Sequence, residues 1–243
     1  DEAVEYLRKK GQQVSEKRAD REANQGLIMI KIGDDGKKAS AIELNCETDF
    51  VARNDDFRNS AEAFLNAAFK AETGSIADLL QEEVDGLSIE KQLDEMVGKI
   101  GEKIELSRVV FVETDGELVK YIHPGNQLGV IAEFESEVDD KEVANDVAMQ
   151  IAAMNPLAVT REGVDTSVVE KELEIAKEQL LNEGKPEEIA EKAAKGKLRR
   201  FYEERVLLEQ KFVKDNSISV KEYLEQNDTP LVKTFHRLQL GES

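Results

Sequence analysis

The 243-residue chain predicts an α+β fold: two similar subdomains, each with a small antiparallel sheet and packed helices, plus a protruding helical coiled-coil hairpin. Three observations predict it. A strand, tight turn, strand, acid and amphipathic helix succeed one another twice, over residues 27–69 and again over 108–155. A charge-rich helical stretch at about 166–210 is broken only at Gly184 and Pro186. Aromatic residues make up 5% of the chain and Trp is absent, so the cores must be built from Ala, Leu, Ile and Val. The organisation expected is the end of a helical domain and a linker at 1–25, a first core subdomain at 26–107, and a second at 108–243 that includes the hairpin.

Each element has a local reason. The opening "DEAVEYLRKKG" reads as the tail of a helix ending at Gly11, with a segment expected before it. "LIMIKI" (27–32) and "KKASAIELN" (37–45) flank "GDDG", a turn whose residues tolerate positive φ, and so read as a hairpin. A helix follows from about Asn54, with Phe57, Ala61, Phe64, Leu65 and Ala68 on one side. Shorter helices are expected at 75–84 and 88–99, N-capped by Ser75 and Ser88; Ile89, Leu93, Met96, Val97 and Ile100 share a face of the second.

"SRVVFVE", "ELVKYIH" and "QLGVIAEFE" read as the strands of the second subdomain. The helix from about Asp140 carries Val143, Val147, Ile151 and Met154 on one side. "SVVE" (167–170) has the form of a capping box, and Val169, Leu173, Ala176 and Leu180 recur by fours and threes. "NEGKP" ends that helix, and Ile189, Ala193, Leu198 and Phe201 are the apolar positions of the next. Ser219 and Glu222 cap a short helix, and "LVKTFHRLQL" (231–240) reads as a last strand with imperfect alternation.

Charge and composition exclude several function classes. With 33 Lys+Arg against 52 Asp+Glu the net charge is -19, which argues against direct binding of nucleic acid or an anionic membrane. No run approaches the roughly 18 apolar residues of a membrane-spanning helix. Cys46 is the single cysteine, so no internal disulfide forms, and a reducing, cytoplasmic compartment is the simpler reading. Two histidines and one cysteine leave no zinc site and little material for acid–base catalysis. The acid pairs Asp55-Asp56, Asp139-Asp140 and Glu187-Glu188 suit helix N-termini and solvated faces better than a hydrolase site. His123 precedes Pro124-Gly125 in a turn, and His236 lies in the last strand; neither has a partner in sequence. No glycine pattern cradles a phosphate, so no bound nucleotide, cofactor or metal is expected, and the chain does not read as an enzyme.

Binding remains. "IELNCETDFVARNDDF" (42–57) begins as an alternating strand and then sets Phe50 at the mouth of a strand-to-helix connection, beside Asp49 as an unpaired carboxylate. From spacing alone Phe50 is either a plug for the sheet end or a contact residue. In "VGKIGEKI", Gly101 reads as a helix C-cap with Ile100 closing the core beneath it. These residues describe an acidic, duplicated partner-binding protein.

Within that stretch, "ELNCETDFVAR" resembles the signature of the elongation factor Ts family, the guanine-nucleotide exchange factors of the translational GTPase elongation factor Tu. Glu43, Leu44, Asn45, Cys46, Glu47, Thr48, Asp49, Phe50, Val51, Ala52 and Arg53 satisfy all its places. "LRKKG" resembles the end of the family's N-terminal helical domain, "KIGEKIEL" the helix end before its second subdomain, and "GKPEEIAEKAAKGKLRRFYEE" its coiled-coil hairpin. The similarity extends over residues 5–243.

The resemblance implies that Thr48, Asp49, Phe50 and Val51 enter the GTPase beside its Mg2+ and phosphate site and so promote GDP release during elongation. It implies a second contact through Ile100 and Gly101, a further one near His123, and a basic contact at Lys17 or Arg18. It also places the second subdomain on the partner's distal β domain and the hairpin against the GTPase domain. Most of the family's N-terminal domain is missing, which implies reduced affinity, and Pro124 stands where the family often has Gly. The alternative is an acidic coiled-coil adaptor that binds a partner without exchange activity.

Overall fold

The structure, a computed structural model, describes residues 18 and 20–242. The helix tail expected to end at Gly11, and Lys17, lie outside the described residues. The chain forms two compact units, one running to Ile131 and taken up again at His236, the other Ala132–Phe235. The expected division at 107/108 falls inside the first of these units.

In the first unit, β1 (Gln25–Ile32) and β2 (Lys38–Cys46) form the predicted hairpin across Gly33–Gly36. A single-turn helix α1 (Asp49–Ala52) leads into α2 (Asp55–Ala71) and α3 (Ile76–Gln81). The two-residue strands β3 (Glu83–Val84) and β4 (Leu87–Ser88) precede α4 (Ile89–Ile100), and β5 (Ile104–Glu113), β6 (Glu117–Ile122) and β7 (Leu128–Phe134) follow. Residues 82–84 are thus not helical: Asp85 (φ 52) and Gly86 (φ 79) make a two-residue turn that folds the chain back as a small hairpin. The strand expected to open the second half instead pairs antiparallel with β2, giving the sheet order β1-β2-β5. A further sheet has the order β10-β7-β6, where β10 is the C-terminal strand Val232–Gln239.

Strand β2 is buried on both faces, and residue size assigns the faces. Its large residues Ile42 and Leu44, with Leu27 of β1, meet Phe57, Phe64 and Leu65 of α2 and Ile89, Leu93 and Val97 of α4. Its small residues Ala39 and Ala41 pack in a second cluster with Ile28, Ile30, Val112, Leu118, Ile131 and Leu238. Each fully buried large side chain contributes about 1.5–3 kcal/mol, so these clusters hold the sheet between two apolar layers. Gly129 marks the closest approach in the second: a Cβ there would lie 2.9 Å from both Ile28 Cγ2 and Ile30 Cδ1.

The second unit contains α5 (Lys141–Met154), α6 (Thr166–Asn182), α7 (Glu187–Arg205), β8 (Lys211–Phe212), β9 (Asp215–Ser219) and α8 (Val220–Gln226). Helix α5 buries Val143, Val147 and Ile151 as the spacing predicts, but Met154, at its last turn, is exposed. Helices α6 and α7 form the predicted hairpin, and Ala176, Leu180, Ala190 and Ala194 are buried along its seam. The capping box at Ser167 is corrected. Asp165 lies two residues earlier, its carboxylate accepts the Ser167 N–H at 2.7 Å, and the helix therefore starts before the serine can cap it. Ser219 and Glu222 do form a capping box. In β10 only Val232 and Leu238 are buried, so neither face of the strand is enclosed along its whole length.

Candidate functional site

The motif at 43–53 divides into an enclosed half and a presented half. Glu43 is buried and receives Arg108 Nε at 2.5 Å and Asn45 Nδ2 at 2.9 Å. Their pairing falls at a register shift between Glu43 and Leu44, where Ser107 is the extra residue of β5. The Cys46 thiol donates to Thr48 O at 3.1 Å, and burial, followed by the nearby Glu102 carboxylate, pushes its pKa up to about 12. It is a packing residue and not a nucleophile. Glu47 accepts the Lys103 N–H at 2.6 Å and ion-pairs with Arg18 at 2.8 Å and Arg21 at 2.9 Å. That backbone hydrogen bond and the two guanidinium groups hold its carboxyl at about 2. Arg18, a candidate contact residue, is thus engaged within the chain.

The presented half is α1. Thr48 occupies its N-cap position with extended backbone, yet the hydroxyl caps nothing in the helix. Instead Glu102 accepts both Thr48 Oγ1, at 2.7 Å, and Thr48 N, at 3.0 Å. Asp49 is not unpaired: Arg53 lies 3.0 Å away, one turn on, with both side chains exposed. Ala52 is buried and Val51 packs against the core, while Phe50, immediately before them, is 82% exposed. Phe50 does not plug the sheet end. Of the described residues with large exposed apolar side chains it is the most exposed.

Ile100 and Gly101 close α4 beside this turn. Gly101 is the left-handed C-cap (φ 79), donating to Val97 O at 2.8 Å, and Ile100 is partly buried against the core. Thr48, Phe50, Val51, Asn54, Ile100 and Glu102 line one open groove of about 370 Å³. A neighbouring groove of about 500 Å³ shares Asn54 and Ile100 with it and adds Met96 and Lys99. The two candidate contacts predicted 50 residues apart thus meet on one surface. His123 is exposed in the β6–β7 turn, its Nδ1 3.0 Å from Tyr121 Oη, and lines a different groove with Asn24, Gln25 and Gln127.

The acid pairs stand at helix starts. Asp55 and Asp56 occupy the first turn of α2, Asp140 caps α5, and Glu187 and Glu188 open α7. Glu102 was not singled out by sequence reasoning; an acid next to a C-capping glycine carries no local pattern that announces a partner 54 residues away.

The family described as "Elongation factor TS" matches residues 47–242. The chain is 43% identical over 244 residues to "Elongation factor Ts" of Amoebophilus asiaticus, covering 99% of this chain and 88% of that protein. It is 45% identical over 248 residues to the protein of that name from Christiangramia forsetii, covering 99% and 88%. With that from Aquifex aeolicus it shares 42% over 253 residues, covering 99% and 87%. With the family model matched over residues 47–242 and 42–45% identity to these relatives along 99% of its length, this chain belongs to the elongation factor Ts family.

Proposed function

We propose that this protein is a guanine-nucleotide exchange factor of elongation factor Tu, acting in the cytoplasm during translation elongation and carrying out no chemical reaction of its own. The observation that carries the reading is the exposure of Phe50. A phenylalanine exposed on a single-turn helix whose next two residues, Val51 and Ala52, are held by the core gains little from its own fold and much from an apolar slot elsewhere.

Such a slot drives exchange only if it opens when the GTPase has loosened its nucleotide. Burying a Phe side chain is worth about 1.5–3 kcal/mol. If that gain exists only in the nucleotide-released state, linkage requires nucleotide affinity to fall by the same factor. Asp49, beside it, adds a carboxylate where phosphate would otherwise sit. Ile100 and Gly101 widen the same surface, and His123 supplies a separate contact.

The test is release of fluorescently labelled GDP from elongation factor Tu as this protein is titrated in. A concentration-dependent acceleration is expected. Binding to the GTPase with GDP release unchanged would establish the adaptor alternative instead.

A further inference from the structure

We infer that Glu102 is a positioning residue for exchange, holding the Phe50-bearing turn and the Ile100–Gly101 corner as one preorganised surface; the inference rests on the exchange reading above. Helix α1 is four residues long, far short of what sustains a helix by itself. Something outside it must fix the direction in which Phe50 points.

The geometry assigns that task to Glu102. Its carboxylate takes two donors from one residue, the Thr48 N–H and the Thr48 hydroxyl, with one oxygen on each. A threonine at an N-cap ordinarily turns its oxygen to the amides of its own helix. Here the hydroxyl is turned away, and the N-cap is tied to the residue that follows Gly101. Hydrogen bonds to a charged acceptor are the stronger kind, and two on one carboxylate fix orientation as well as distance. Thr48 and Glu102 also line the same groove as Phe50 and Ile100. Loss of the clasp leaves both contacts present but free to move apart, so ordering them falls on the binding step.

Four proteins are compared in the GDP-release assay: wild type, Glu102→Ala, Glu102→Gln and Phe50→Ala. Glu102→Ala is expected to lower the acceleration about tenfold, the scale of a lost charge-assisted hydrogen bond. Glu102→Gln, whose amide can accept from the Thr48 N–H and donate to its hydroxyl, is expected to recover most of it. In a Phe50→Ala background, Glu102→Ala is expected to have little further effect, because the residue acts through the finger. Thermal melts and far-UV circular dichroism of each variant establish folding.

A folded Glu102→Ala protein with wild-type acceleration overturns the positioning role while leaving the exchange reading intact. An undiminished additional loss in the Phe50→Ala background overturns it too, since Glu102 would then touch the partner directly. If Glu102→Ala does not fold, Thr48→Val, which removes the hydroxyl bond alone, is used, and unaltered exchange in that variant overturns the role. Wild-type protein that fails to speed release removes the exchange reading itself, and this inference with it.

Discussion

Glu47 accepts the backbone N–H of Lys103 at 2.6 Å, joining the end of β2 to the start of β5 immediately beside the presented turn. The bond sets a pH dependence. The Glu47 carboxyl is held at about 2, below its ordinary 4.5, so its contribution to stability is fully present above 4.5 and lost as pH falls towards 2. Glu47→Gln is expected to lower stability at neutral pH and to flatten the pH dependence between 4.5 and 2. Urea denaturation across that range checks it; an unaltered slope would contradict the assignment.

Phe50→Ala separates function from folding. An exposed side chain contributes within about 0.5 kcal/mol to stability. Its loss from an apolar slot is expected to cut the acceleration of GDP release about tenfold or more. Melting temperature and exchange rate, measured on the same preparation, test both halves.

Gly26 in β1 has no room for any other residue. A Cβ would stand 2.2 Å from Leu44 O, and its φ of +145 is one that L-residues rarely adopt. Gly26→Ala is expected to cost about 3 kcal/mol or more, because the clash is with backbone that cannot yield. At Gly101 the space is open and only the left-handed φ of +79 resists substitution, so Gly101→Ala is expected to cost about 1–2 kcal/mol. Chemical denaturation of the two variants checks the order as well as the sizes.

Gln150 in α5 is buried and saturated. Its amide donates to Gln210 Oε1 and Lys211 O, each at 3.1 Å, and accepts the Val213 N–H at 2.8 Å. Gln150→Leu keeps the volume and strands those partners, with an expected cost of about 2–4 kcal/mol. Hydrogen exchange at the Val213 amide is expected to speed up in the variant.

The sequence made local features legible. Phe57, Ala61, Phe64, Leu65 and Ala68 are buried on one face of α2 as their spacing requires, and Ser75 and the Ser219–Glu222 pair cap their helices. What it hid was non-local or competitive. Nothing in "SRVVFVE" says that its neighbour is β2, because strand pairing is chosen by packing across the whole unit. At Ser167 two capping residues competed, and the earlier one prevailed. The helix expected to run to residue 84 overlaps the strand Glu83–Val84 that leads into the Asp85-Gly86 turn, a turn whose two residues carry a hairpin signal.

The site divided the same way. Residues 48–51 were recognisable from their letters, and the exposure of Phe50 among them gives those letters a physical sense. The contacts by which Glu47 and Glu102 brace them became visible only when distant stretches were brought together.

Because Glu43 and Asn45 lie sealed inside the sheet while Phe50 stands a few residues on in solvent, the finger is not portable. A short peptide of these residues, or a graft of the turn onto a foreign loop, would keep the side chains and lose the footing that aims them.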